Sequence, residues 1–281
     1  MVFLIVSGIL AYCGWLSAKI ALVVYLILAL HPMSQKPQPS FYNSWIFMTW
    51  QKYFAYSWVN YATLEKGQKY MFLEMPHGIF PMGQFISASC VKEVFGENET
   101  VVGIGADAIF YFPIYRHIMS LVGTRPAKRK NITKIYDIGH HCSILPGGIA
   151  EMYLCDNTVE NVYLKKRKGS IKAALQEGAN IVPGYFYGNS QIFDTYNSAG
   201  TSSFVSRISR KLQASIVFFT GRQYLPVPFR RPLKMVLGKS KCLCVSMCVS
   251  LCLSVCVSVC LCLSLCLSMC LVVSLCVSGK M

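Results

Sequence analysis

Hydrophobic positions divide the chain into four stretches. Residues 1–30 are almost continuously apolar, with Lys19 as the one charge. Residues 31–69 open on a polar, proline-bearing linker (PMSQKPQPS) and continue into an aromatic run, with Trp45, Phe47, Trp50, Tyr53, Phe54, Tyr56, Trp58 and Tyr61 inside twenty residues. From residue 70 the pattern changes again. Short apolar runs at 70–74, 101–104, 108–112, 142–145, 181–187 and 215–219 read as strands, and they alternate with helix-period segments at 83–95, 114–122, 131–138, 167–177 and 203–212. The helix over 167–177 is closed by Gly178, a C-cap residue. Beyond residue 241 the chain repeats Cys–apolar–Ser–apolar with a period of four.

Strands alternating with helices at this spacing predict an α/β fold, a central mixed sheet flanked by helices. The domains follow from the same pattern. The pattern predicts a membrane anchor over residues 1–30, a linker and aromatic interfacial helix over 31–69, a globular domain over 70–240, and a low-complexity repeat over 241–281. A spanning helix needs roughly 20 apolar residues, so thirty suit one tilted span or a shallow hairpin turning near Gly14 to Lys19. With no basic leader region and no small-x-small site after the run, a cleaved signal peptide is the weaker reading. The aromatic stretch fits a membrane–water interface, where Trp and Tyr settle, or a core-facing helix.

Composition sharpens the membrane reading. Hydrophobic residues make up 54%, charged residues only 14%, and the mean hydropathy is +0.44, too apolar for an ordinary soluble protein. The charge is nonetheless +15, with every acidic residue between Glu65 and Asp194. Such a balance suits anionic lipid headgroups or a phosphate-bearing substrate, and no nucleic-acid motif accompanies it. Lysines 36, 52, 66 and 69, just after the apolar stretch, place the catalytic domain on the cytosolic side.

Ten of the fourteen cysteines lie between Cys242 and Cys276. A tandem TGTC repeat in DNA translates as Cys-Leu-Ser-Val, so this tail reads as a translated simple repeat. If made, it is disordered, membrane-associated or aggregating rather than a metal site. Cys13, Cys90, Cys142 and Cys155 remain, with no CxxC pair and so no metal or disulfide framework.

Three places can carry chemistry. His77, between Pro76 and Gly78 at a strand end, is a candidate general base or a packed structural histidine. Gly147 and Gly148, followed by Glu151, form either a turn whose amides face a ligand or a plain β-turn with a solvated carboxylate. Two basic clusters, Arg125, Lys128, Arg129, Lys130 and Lys134 and then Lys165, Lys166, Arg167, Lys168 and Lys172, are phosphate-binding surfaces or solvated faces. The His140–His141 pair lacks spaced ligands and reads as structural.

Five blocks, in order, resemble the type-2 diacylglycerol acyltransferase family, which includes monoacylglycerol and wax-ester acyltransferases. They are MPHGIFPMG (75–83), AIFYFPIYRHIMSLVGTRPAKRKNI (108–132), CSILPGGIAEM (142–152), NVYLKKRKGSIKAALQEGANIVPGYFYG (161–188) and GRQYLPVPFRRPLKMVLGK (221–239). The second and fourth look most like plant and algal members. The resemblance implies a glycerolipid-acyltransferase-like fold and an endoplasmic-reticulum membrane enzyme, with lipid droplets as a second location. It implies transfer of a fatty acyl group from acyl-CoA, a co-substrate, to diacylglycerol or a related lipid alcohol, with no cofactor.

By the same resemblance His77 and Glu151 are the catalytic pair, and Pro76, Gly78, Gly147 and Gly148 form the oxyanion turns. Arg125, Lys128, Arg129, Lys130, Arg167, Lys168 and Gly169 face the acyl-CoA phosphates. Membrane lipids are the implied partners, nucleic acid is not, and a homo-oligomer is compatible. Met75 stands where the family's first motif histidine is usual, Ser170 where a phenylalanine is, and Ala55 where a proline is. Met82 stands where sister glycerolipid acyltransferases place an aspartate. The repeat replaces the family's last helical segment, so an inactive lipid-binding member is the alternative reading.

Overall fold

The computed structural model describes residues 16–34, 36–96, 98–156, 159–165, 167–196, 204–212 (backbone only at 205 and 210–212) and 217–241. Its centre is a seven-stranded mixed sheet in the order β1-β9-β6-β2-β5-β3-β4. The strands are β1 (Ser57–Asn60), β2 (Tyr70–Met75), β3 (Val101–Gly105), β4 (Arg125–Pro126), β5 (His141–Ile144), β6 (Asn180–Tyr187) and β9 (Lys234–Leu237). β6, β2, β5, β3 and β4 run parallel, whereas β9 is antiparallel to β6 and parallel to β1. A small second sheet pairs β7 (Asp194–Thr195) with β8 (Phe219–Thr220), antiparallel.

Both faces of the central strands are covered, as parallel strands require. On one face Met71, Leu73, Cys142 and Ile181 pack against Ile132, Ile135 and Tyr136 of α7 (Arg129–Asp137) and Ala174 of α9 (Lys168–Glu177). On the other, Tyr70, Phe72, Val182, Phe186, Met235 and Leu237 meet Val94 and Phe95 of α5 (Val91–Phe95). A period of two in side-chain direction combined with burial on both faces explains why β2 reads as an unbroken apolar run.

Glu74 interrupts that run. It is buried and hydrogen-bonded to Ser143, and burial pushes its carboxyl up to about 7. The unfolded chain releases this proton at the ordinary glutamate value while the folded chain holds it to about 7. Stability therefore falls as pH rises through that window, by about 3 kcal/mol in all. Glu74→Gln, which can keep the Ser143 bond, is expected to flatten this decline in a pH series of melting temperatures.

Several elements depart from the sequence pattern. The helix expected over 83–95 is broken into α4 (Met82–Ser87), a 3-10 turn (Ala88–Cys90) and α5. Ser87 and Ser89 donate back to the carbonyls of Gln84 and Ile86, bonds that compete with helix continuation. Of residues 108–112, expected as a strand, 108–111 lie in a 3-10 turn (Asp107–Tyr111) and Phe112 caps it. β4 already occupies the edge of β3, and Pro113 opens α6 (Pro113–Val122) directly afterwards. Residues 57–60 join the sheet although they lie upstream of the expected boundary at 70. Of the strand expected over 215–219, residues 215 and 216 fall outside the described chain, Val217 and Phe218 are not in a strand, and only Phe219 lies in β8.

Of the anchor expected over 1–30, residues 1–15 lie outside the described chain. Leu16–Leu30 form α1, with Leu16, Ile20, Val23, Leu26 and Ile27 exposed. The fifteen described residues of this helix rise about 22 Å, against a hydrocarbon core of about 30 Å. Among the described residues no helix is long and apolar enough to cross a membrane. The end of α1 is tied down: Arg116 donates to the carbonyls of Ala29 (3.1 Å) and His31 (3.0 Å), and His117 Nε2 bonds that of Leu28 (2.8 Å). The short α2 (Pro39–Tyr42) leads to the aromatic helix α3 (Trp45–Tyr53). α3 is two-faced: Phe47 is fully buried and stacks on Phe85, while Trp45 and Met48 are exposed.

Candidate active site

Three neighbouring parallel strands deliver the central residues to one edge of the sheet. β2 ends at Met75, and a cis Met75–Pro76 bond leads into His77 and Gly78. β6, beside β2, leads to Asn189. β5, on the other side, leads to Gly147 and α8 (Gly148–Met152), which carries Glu151. The carboxyl ends of strands in open α/β sheets are where ligands generally bind.

The His77 turn is held from both sides. On the β6 side Asn189, fully buried, donates its side-chain amide to the carbonyls of His77 (3.0 Å) and Pro76 (3.3 Å). Its side-chain oxygen accepts from the Gly83 amide at 2.9 Å. Gln84 Nε2 donates to the Pro76 carbonyl at 2.9 Å. Gly78 has φ +63°, and a Cβ there would lie 2.8 Å from Asn189, so the turn requires glycine twice over.

On the β5 side the brace is Glu151, only 1% exposed. One carboxylate oxygen accepts the main-chain N–H of His77, and the other accepts that of Tyr163 at 3.0 Å. Burial raises the Glu151 carboxyl, opposed by the two amide bonds and by the Arg167 guanidinium. Arg167 in turn donates to the Gly147 carbonyl at 3.0 Å and lies over the Tyr163 ring. A Cβ on Gly147 would fall 2.0 Å from Glu151 Oε2, so the buried carboxylate needs glycine at that turn. Gly148, at φ +54°, has nothing within 4 Å of its missing Cβ and faces open space.

The imidazole itself is polarised by its own turn. His77 Nδ1 lies 2.9 Å from the Gly78 carbonyl oxygen. A carbonyl only accepts, so Nδ1 carries the hydrogen and the lone pair resides on Nε2. Burial lowers the His77 pKa from its ordinary value, partly offset by the Gly78 bond. The ring is therefore neutral at neutral pH, with a basic nitrogen turned away from the bond that fixes it. Such an arrangement can take a proton from a bound hydroxyl.

The basic residues separate into different environments. Arg167 sits inside the site, and Lys168 and Gly169 open α9 beside it, exposed. Arg125 lies on β4, two strands beyond β5, and donates to the carbonyls of Thr124 (2.9 Å) and Ser120 (3.3 Å). Lys128 pairs with Asp107 at 3.8 Å, and Arg129 and Lys130 are exposed on α7. His141, of the histidine pair, is the first residue of β5 and bonds Glu99 at 2.8 Å. Asn189, Gln84 and the Tyr163 amide carry no local pattern that marks them. Asn189 and Glu160, which accepts from Tyr185 and from Ser190 (3.0 Å), are reached only through long-range contacts.

The diacylglycerol acyltransferase family model matches residues 9–244. Diacylglycerol O-acyltransferase 2-like protein 6 of Homo sapiens is 28% identical over 208 residues, covering 67% of this chain and 61% of the relative. Diacylglycerol O-acyltransferase 1 of Eremothecium gossypii is 32% identical over 187 residues, 62% of this chain and 40% of the relative. Diacylglycerol O-acyltransferase 2 of Danio rerio is 28% identical over 213 residues, 69% of this chain and 58% of the relative. The chain thus spans less than two thirds of the length of these relatives. A solved 1-acyl-sn-glycerophosphate acyltransferase of Thermotoga maritima overlays with a TM-score of 0.38 at 8% identity, covering 70% of this chain and 69% of that one. With the family model matching most of its length, the chain belongs to the type-2 diacylglycerol acyltransferase family.

Proposed function

We propose that the protein transfers a fatty acyl group from acyl-CoA to the free hydroxyl of diacylglycerol, giving triacylglycerol. The observation that carries this reading is the His77 imidazole, with Nδ1 committed to the Gly78 carbonyl and its backbone braced by Glu151. In the reaction, Nε2 takes the hydroxyl proton as the oxygen attacks the thioester carbonyl carbon. The C–O bond forms, and the carbon–sulfur bond then breaks. The CoA thiolate leaves with its bonding pair and collects the proton from Nε2. Backbone amides at Gly78 or at Gly147–Gly148 would steady the oxyanion.

Glu151 acts through the main chain. It fixes the His77 amide rather than the ring, so it is a positioning residue in this scheme. Arg167, bonded at Gly147, and the exposed Lys168 and Gly169 at the start of α9 are the proposed contacts for the CoA phosphates, and the exposed Arg129 and Lys130 offer a second basic surface. The reaction as drawn needs no cofactor besides acyl-CoA as co-substrate. The apolar exposed α1 and the basic charge fit a place on the endoplasmic-reticulum membrane, or on lipid droplets, with the catalytic domain in the cytosol. The test is a membrane assay with acyl-CoA and diacylglycerol, monoacylglycerol and a long-chain alcohol in competition. Triacylglycerol is the expected main product, and wax ester or diacylglycerol in excess would reassign the acceptor.

A further inference from the structure

Residues 221–227 form a closed finger that projects from the fold. The Gly221 amide donates to the Leu225 carbonyl (2.8 Å), Arg222 to Val227 (2.8 Å) and Leu225 to Arg222 (3.0 Å). Gly221 is indispensable to the closure, since a Cβ there would lie 1.8 Å from the Val227 oxygen. At the tip, Gln223 (φ 56°) and Tyr224 (φ 59°) are both in the left-handed region, a strained state for side-chain-bearing residues. That strain stabilises no packing: Tyr224 is 85% exposed, and Leu225 and Val227 are exposed with it. Strain of this kind, held by the surrounding structure, commonly marks a functional segment.

The surroundings extend the pattern. The finger grows directly from β8, where Phe218 and Phe219 are exposed, and across the strand pair Tyr196 is exposed as well. Between residues 217 and 241 there are six Lys or Arg and no acidic residue, and Arg222, Arg230 and Arg231 are exposed within seven residues of Tyr224 along the chain. Aromatic and aliphatic side chains flanked in the chain by exposed arginines match an anionic bilayer interface, which takes an apolar tip and nearby cations together. A protein partner fits less well. A stable interface buries about 800 Å² on each side, more than a seven-residue convex finger offers.

We propose that the 221–227 finger inserts Tyr224 and Leu225 into the headgroup region of an anionic lipid surface, separately from the apolar N-terminal stretch. The finger is stiffly joined to the site. Tyr53 donates to the Pro228 carbonyl at 2.7 Å, and the Phe229 amide donates to Ile192 at 2.8 Å. Ile192 and Leu233 share one buried cluster with Ile79 and Met82, the residues that follow His77. Insertion of the tip thus sets the height of the His77 turn above the lipid, a consequence that rests on the acyltransferase reading, whereas the docking does not.

The test places a reporter at the tip. Full-length Tyr224→Trp protein is reconstituted into vesicles of phosphatidylcholine with phosphatidylserine, and its added emission is taken by difference from the parent, which has four tryptophans. Quenching by acyl-brominated lipid, with little quenching by aqueous iodide, is the expected result. Combining it with Arg222→Glu, Arg230→Glu and Arg231→Glu should reduce the lipid quenching several-fold. Quenching by iodide instead would overturn the proposal, because the tip is then in water. Quenching by neither would overturn it as well, because the tip is then covered by the protein or a second copy. Equal lipid quenching in pure phosphatidylcholine vesicles would overturn its anionic part. Leu225→Trp repeats the measurement at an extended residue if Tyr224→Trp fails to fold. Acyl transfer measured on the same vesicles keeps the two readings apart, since lipid quenching without transfer sinks only the enzymatic one.

Discussion

Replacing His77 with Ala is expected to lower acyl transfer about 10²- to 10⁴-fold, the range over which a positioned general base acts. Protein level and melting temperature should change little, because the ring's recorded hydrogen bond is to the Gly78 carbonyl of its own turn. The pH profile separates this role from a packing one. Burial depresses the His77 pKa, so the ring stays neutral and competent as pH falls through its ordinary range. Activity of the parent should drop only at more acid pH, as Nε2 becomes protonated, and the residual activity of His77→Ala should lack that limb. Normal triacylglycerol synthesis by the variant in membranes would remove His77 from the mechanism.

Substituting Glu151 should act on stability and turnover together. Glu151→Ala leaves two buried amides, those of His77 and Tyr163, without their shared acceptor. Each costs about 1–3 kcal/mol, so a loss of roughly 2–6 kcal/mol is expected in denaturant or thermal unfolding. Glu151→Gln is the more discriminating variant. Its volume is right, but its NH2 group would face one of the two N–H donors, so it can satisfy only one amide. A turn released on that side carries His77 away from its reacting position, and misplacement of about 1 Å can cost on the order of 10²-fold in rate. If Glu151→Gln keeps the parental melting temperature and rate, the brace is not needed.

The reach of the amino-acid sequence follows the distance over which each signal acts. The alternation of apolar runs and helix-period segments is local, so the central sheet with flanking helices was legible, as was the Gly178 end of α9. β1 and β9 were not. Ser57–Asn60 is hidden in an aromatic run read as helix, and Lys234–Leu237 follows a proline-rich loop. Each is a four-residue strand placed by its neighbours, β1 beside β9 and β9 between β1 and β6. At the site, Pro76-His77-Gly78 and Gly147-Gly148 announce tight turns in their own composition. That Glu151 reaches the His77 amide rather than the ring depends on how β5 lies beside β2. Asn189 sits in a Gly-Asn-Ser-Gln turn of ordinary appearance, yet it touches the His77 turn from 112 residues away in the chain. The basic clusters looked alike in sequence. Burial and partners distinguish them, with Arg167 held at Gly147 and Arg125 spent on carbonyls at the sheet edge.

The place of β9 has a consequence for biosynthesis. β1 touches the sheet only through β9, which lies between it and β6. A ribosome that has made residue 60 must add about 170 more before residue 234 appears, roughly ten to thirty seconds at about 5–20 residues per second. Throughout that interval β1 has no strand to pair with, and once β6 is complete at Tyr187 its edge too is bare until β9 follows, a template for any extended segment nearby. The nascent chain therefore passes through a window in which a chaperone, or the surface of the membrane being targeted, has to keep β1, and then the edge of β6, covered until β9 arrives.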